Sequence, residues 1–162
     1  MVDDVVRTLG FLCMGSRFRR IGERLQADTQ QIIEEYGIAI QAAQYPFLAA
    51  LDRAGPLTIG ELAQAVGITQ PGATRTVSQL LELGLVDMQA APDDQRRRLI
   101  SLSRKGQELV DYSKQSVWPR ISAAVADLCG DLNGPILAQL AAIEDGLTEA
   151  ALARRAAKEE TT

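Results

Sequence analysis

Apolar residues recur at mostly three- and four-residue steps near the start of the chain: Val5, Leu9, Leu12, Ile21, Leu25 and Ile32. That spacing keeps one side of a helix apolar and predicts a helix over residues 3–35. The stripe is long for a helix packing on one small core. Gly10, Gly15 and Gly22 interrupt it, at a cost of roughly 1 kcal/mol each against Ala. Close packing on another helix and a break in the helix account for them equally well. Tyr36 and Gly37 end the segment. A second helix is expected over 42–53, with Pro46 tolerated only in its first turn, and Ala54-Gly55-Pro56 closes it.

The stretch LTIGELAQAVGITQPGATRTVSQLLELGLV, residues 57–86, is the most informative. Thr58 followed by Glu61 is a capping box and opens a short helix to Val66. Gly67 sits where a helix end needs a left-handed residue. Thr69 then caps another helix, with Pro71 in its permissive first turn, running to about Leu83 before Gly84. Leu62, Ala63, Val66, Ile68, Ala73, Val77 and Leu80 would pack two helices across a turn of about three residues. This is the pattern of a helix-turn-helix, although a plain helical hairpin of another all-helical domain shares much of it.

Beyond it, Leu85–Gln89 and Arg98–Ser103 alternate as two short strands around the turn formers Pro92, Asp93 and Asp94. A strand pair directly after a helix-turn-helix makes a winged helix. Ser103 caps a further helix, which Pro119 kinks or restarts near residues 117–120. Asn133 and Pro135 open a last helix with Ile136, Leu140, Ile143 and Leu147 on one stripe. The closing AKEETT is expected to fray. The fold class read from these patterns is mainly α (α+β).

Composition narrows the chemistry. The 162 residues include no histidine, which excludes Ser-His-Asp and Cys-His nucleophiles and disfavours zinc. No phosphate-cradling GxxxxGK[ST] or GxGxxG occurs. Neither an enzymatic activity nor a cofactor or metal is expected. No apolar run approaches the ~18 residues of a membrane span. The opening MVDDVVRTLG carries acids where a secretory signal needs bases, so a cytoplasmic protein without a membrane partner is expected. Cys13 and Cys129 are too far apart to suggest a disulfide scaffold.

Charge is unevenly placed along this chain of net −4. Residues 1–68 carry six bases and eight acids, and residues 107–162 five bases and nine acids. Residues 69–106 reverse the balance with six bases and four acids, the bases clustering in PDDQRRRLI, residues 92–100. Net acidity does not exclude a nucleic-acid partner, because the local potential at a contact face governs binding.

With these residues the chain resembles the MarR family of bacterial transcriptional regulators. TIGELAQAVGITQPGATRTVSQLLELGLV reads like that family's helix-turn-helix. DQRRRLISLSRKG resembles its wing: an acid two residues before an arginine, an alternating strand, then Leu-Ser/Thr-x-x-Gly. The resemblance implies an obligate homodimer on a palindromic double-stranded DNA operator. Its parts would be a dimerisation helix over 1–37, a winged helix-turn-helix lobe over 38–106 and C-terminal dimerisation helices over 107–162. Its regulation would be of transcription, as a repressor.

On that reading the helix from Thr69 enters the major groove and exposes Gln70, Gly72, Thr74, Arg75, Ser78 and Gln79. Arg75 would fork to guanine and Gln70 to adenine, Thr74 and Ser78 would anchor phosphates, and Gly72 would let the backbone approach. Thr69 would leave amides facing a phosphate. By resemblance Arg96 is the wing-tip arginine reaching into the minor groove. Asp94 would hold the tip or an arginine by a charge-assisted hydrogen bond. Arg97 and Arg98 flank Arg96, and at most one shares its face.

The resemblance also implies a small organic effector between the dimerisation helices and the lobe, with Tyr36, Tyr45 and Tyr112 as lining candidates. Aligned on FLCMGSR, the family's peroxide sensors place their sensing cysteine at Gly10, with Cys13 one turn beyond, so redox sensing is disfavoured. Two alternatives remain at this point. One is a winged helix used only for protein contacts; the other is a DNA-binding half separated from an acetyltransferase, although nothing after Gly106 offers an acetyl-CoA loop.

Overall fold

The computed structural model describes residues 2–94 and 96–149, and the terminal AKEETT lies outside them. Two compact units divide the chain, Met1–Ile121 and Ser122–Thr162. The fold is mainly helical with one two-stranded antiparallel sheet.

The expected first helix is two. A single turn, α1 (Val5–Thr8), is capped by Asp4, whose side chain accepts from the Arg7 amide. Gly10 then takes φ +55° and starts a 3-10 turn to Cys13, and α2 runs Met14–Glu35. A left-handed φ is available to glycine at no steric cost, so Gly10 marks a break. A Cβ at Gly15 or Gly22 would meet nothing within 4 Å, so close packing in this chain explains neither.

After α2 a 3-10 turn (Ala42–Gln44) leads into α3 (Tyr45–Ala54), with Pro46 in its first turn as required. Next come α4 (Ile59–Val66) and α5 (Gln70–Glu82). Their shared core holds Leu62, Ala63, Ala73, Val77 and Leu80, all buried, together with Leu48, Leu51 and Val110 from neighbouring helices. Each fully buried Leu or Val contributes about 1.5–3 kcal/mol over leaving it in water. Val66 is half-buried, and Ile68 departs from the expected set at 41% exposed. It sits in the turn between the two helices, where alternation with the core is lost.

The strands lie one residue off the reading from sequence at three of their four ends: β1 is Val86–Ala90 and β2 is Arg98–Leu102. They pair antiparallel with Val86 opposite Leu102 and Met88 opposite Ile100. Leu57 adds a bridge on the outer side of β2, exchanging both backbone hydrogen bonds with Ile100 at 2.9 and 2.7 Å. The wing is thereby stitched to the residue preceding the Thr58 cap.

Ser103 caps α6 (Arg104–Tyr112) by accepting from the Gly106 amide. Gly106 is required by close approach, since a Cβ there would stand 1.9 Å from the Leu85 carbonyl oxygen. A π-helical turn, Ser113–Val117, joins α6 to α7 (Trp118–Leu128). Pro119 cannot follow an unbroken α-helix without meeting the carbonyl four residues back, and the widened turn relieves that conflict. In the second unit α8 is Ile136–Glu149, with Ile136, Leu140 and Ile143 half-buried and Leu147 exposed.

Candidate nucleic-acid interface

The turn between α4 and α5 is set by local chemistry. Thr58 Oγ1 accepts from the Glu61 amide at 3.2 Å, and Glu61 accepts from the Thr58 amide at 2.7 Å, closing the capping box. Gly67 ends α4 at φ 74°, ψ 34°, the left-handed conformation. Two residues on, Thr69 caps α5 by accepting from Gly72 at 3.4 Å. A Cβ at Gly72 would lie 3.2 Å from the Thr69 hydroxyl, so this glycine also keeps room for its own cap.

With Ala73, Val77 and Leu80 turned into the core, the 100° step of a helix turns Gln70, Thr74, Arg75, Ser78 and Gln79 outward. All five are exposed; Gly72 is half-buried. The hydroxyls already have acceptors: Thr74 donates to the Gln70 carbonyl at 3.0 Å and Ser78 to the Thr74 carbonyl at 2.9 Å. To donate to a phosphate, each must rotate away from its own helix.

At the wing, Asp94 takes the tip-holding role rather than pairing with an arginine. Its carboxylate accepts from the Arg96 amide at 2.9 Å, and its carbonyl accepts from the Arg97 amide at 3.0 Å. Gln95, between them, lies outside the described residues. The arginine that is held is Arg97, 3.4 Å from Glu61 and 4.0 Å from Asp93. Glu61 thus serves both the α4 cap and the wing. The Thr58 amide and hydroxyl, and after them the Arg97 charge, keep its carboxyl below the ordinary range. Arg75, Arg96 and Arg98 have no carboxylate within ion-pair distance among the described residues, and all three are exposed.

Reasoning from sequence missed Glu61 and Asp93 as wing partners, and it missed Gln44. Gln44 is buried behind α5 and donates to Gln79 at 3.2 Å. No sequence signal marks a contact spanning 35 residues.

The three tyrosines cluster around the π-helical turn. Tyr45 is buried, its hydroxyl 2.9 Å from Ser113 Oγ and its ring edge-on to Trp118; burial raises its phenol above the ordinary range. Tyr36 donates to the Ser116 carbonyl and meets Tyr112 edge-on, while Tyr112 is exposed. One cavity of about 310 Å³ is lined by Gly37, Ile38, Ile40, Leu83, Lys105 and Leu109, and another of similar size by Glu23, Gln26, Gln30 and Gln41. Neither is lined by a tyrosine.

A helix-turn-helix is thus followed by a wing that exposes Arg96 and Arg98. A sequence model of the MarR family matches residues 37–97. Over those residues, which hold the helix-turn-helix and most of the wing, the chain is similar to that family. An uncharacterized HTH-type transcriptional regulator of Mycobacterium leprae is 32% identical over 77 residues, covering 48% of this chain and 54% of that protein. The chain spans about half the length of the curated relatives it matches. Among solved structures, the transcriptional repressor CouR bound to a 23-mer DNA duplex superimposes with a TM-score of 0.70 at 25% identity, over 81% of this chain and 92% of CouR. A mutant MarR from E. coli complexed with operator DNA reaches a TM-score of 0.70 at 20% identity, over 90% and 99% of the two chains. BpsR of Bordetella bronchiseptica, whose DNA binding is regulated by 6-hydroxynicotinic acid, gives 0.69 at 24% identity, over 85% and 94%. At such identities the MarR and BpsR structures establish the MarR winged-helix fold. No helix of the described residues is long and apolar enough to cross a membrane.

Proposed function

We propose that this protein is a cytoplasmic, homodimeric regulator of transcription that binds a palindromic double-stranded DNA operator and represses until a small organic effector releases it. The observation that carries the DNA reading is the placement of Arg75 on the outer face of α5 and of Arg96 and Arg98 on the wing, exposed and without acid partners among the described residues. A wing serving only protein contacts has no need of them. The duplexes bound by CouR and by MarR support the same reading.

Within this reading Thr69, Gln70, Gly72, Thr74, Arg75, Ser78 and Gln79 meet the major groove, and Arg96 the adjacent minor groove. Arg98 is a further phosphate contact, whereas Asp94 and Arg97 shape the wing. Residues 38–106 act on DNA, and 1–37 with 107–162 join two protomers. The effector is assigned to the cluster of Tyr36, Tyr45 and Tyr112 around the π-helical turn. Its class follows BpsR, whose effector is a small aromatic acid.

Fluorescence anisotropy on the DNA upstream of the gene, against a shuffled duplex at several salt concentrations, tests the proposal. Sequence-dependent binding is expected, weakening with salt at roughly −0.9 log units per phosphate contact. Weak, equal binding to both duplexes, and to a selected library of random sequences, overturns it in favour of the protein-contact module.

A further inference from the structure

Gln44 is polar, 4% exposed, and lies in the turn that opens α3. Its Oε1 accepts from the Gln41 amide at 2.9 Å, and its Nε2 donates to Gln79 Oε1 at 3.2 Å. The turn is held from a second side: Gln30 on α2 accepts from the Ala42 amide at 2.8 Å and donates to the Ile40 carbonyl at 3.2 Å.

A primary amide can ordinarily present either of its two ends. Here the chemistry removes the choice. The Gln41 amide can only donate, so the Gln44 atom facing it is the oxygen. The Gln44 nitrogen then faces Gln79 and can only donate, so the Gln79 atom facing it is also the oxygen. Gln79 therefore has its oxygen turned toward Gln44, and its amino group, with two donors, is the end turned away from Gln44 on this exposed residue. That amino group has no partner among the described residues.

We infer that Gln44 is a positioning residue that fixes the polarity of Gln79, so that Gln79 reads a base offering only acceptors. In the major groove guanine presents O6 and N7, thymine presents O4, and cytosine presents only its N4 donor. A free glutamine would grip adenine with both ends; this one is held with its oxygen facing Gln44, so its amino group is the end offered to a base. The inference rests on the DNA-binding reading above and adds to it the base that one residue selects.

The test uses the full-length protein and a set of operator duplexes carrying all four base pairs at each position. The position facing Gln79 is identified as the one where Gln79→Ala flattens the preference. There the wild type should favour guanine or thymine over cytosine by about fivefold or more. In Gln44→Glu the oxygen toward Gln41 is kept, but an oxygen replaces the donor toward Gln79. Gln79 must then turn its amino group inward, and the preference at that position should invert toward cytosine or adenine. Gln44→Met, similar in volume and without the donor, should leave the position without preference while thermal melting reports an intact fold. It decides the matter if Gln44→Glu fails to fold.

A wild-type preference for cytosine at that position, or wild-type-like selectivity in every Gln44 variant that folds, overturns the inference and leaves the DNA reading standing. Absence of any sequence-selective binding by the wild type overturns both.

Discussion

Arg96 and Arg97 are neighbours that differ in what holds them. Arg97 is tied to Glu61 and Asp93, whereas the Arg96 side chain has no acid partner among the described residues and its amide is fixed by Asp94. Removing each should therefore have different consequences. Arg96→Ala should lower operator affinity about tenfold or more and reduce the salt slope by about 0.9, with an unchanged melting temperature. Arg97→Ala loses an exposed ion pair of about 0–1 kcal/mol and should weaken binding less. Anisotropy on the operator at two salt concentrations separates the two, and equal losses would remove the distinction. A residue-scale pH dependence follows from Asp52, which accepts from Lys114 and Gln107. The Lys114 ammonium, more than Gln107, holds the Asp52 carboxyl below its ordinary range. A depressed folded-state value means that its stabilisation is complete above the unfolded value of about 3.9. It is lost as pH falls through the folded value. Urea melts at pH 7 and near pH 3 should show Asp52→Asn losing less stability on acidification than the wild type. The three charges of RRR were legible in the sequence, but their division of roles was not, because Glu61 lies 36 residues away from Arg97.

At the scale of elements, what could be read locally was read closely. The Thr58–Glu61 box, the left-handed Gly67, the Thr69 cap and the Ser103 cap each depend on residues within three positions of one another, and each is in place. Readings that needed tertiary context drifted. The first helix breaks at Gly10, which periodicity alone left undecided, and Ile68 points outward from its turn. Pro119 announced a disturbance but not that it would take the form of a π-helical turn. Gly106 belongs to this scale, because it lets α6 abut the start of β1. The Leu85 carbonyl that would meet an added Cβ also accepts from the Ser103 amide at 3.0 Å, so retreat costs a hydrogen bond. Gly106→Ala should cost at least the 1–3 kcal/mol typical of overpacking. A melting temperature within a degree of wild type would show that the junction yields more easily than its geometry implies.

For the whole molecule, the first apolar stripe poses a problem that one chain does not solve. Phe11 is 92% exposed and Leu12 82%, with Val5, Leu9 and Ile21 about half exposed. Large exposed apolar side chains gathered in one segment point to an association site. Periodicity made the stripe legible, but only the structure separates it from the lobe's core, where Leu62, Val77 and Leu80 are sealed. An overall charge of −4 would oppose DNA if it were spread evenly. On the proposed dimeric reading, the arginines of α5 and the wing are the charges that meet the duplex. Light scattering on the purified protein should give twice the chain mass of 17.5 kDa. Leu12→Asp, which places a charge in that apolar segment, should shift the mass toward one chain without unfolding α4, α5 or the wing. Because a palindrome is read by both halves at once, the same variant should lose most of its operator affinity while keeping salt-dependent binding to random DNA. If Leu12→Asp stays dimeric, the contact between protomers lies elsewhere on the chain. If it becomes monomeric and still binds the operator as tightly as the wild type, the two lobes do not act together.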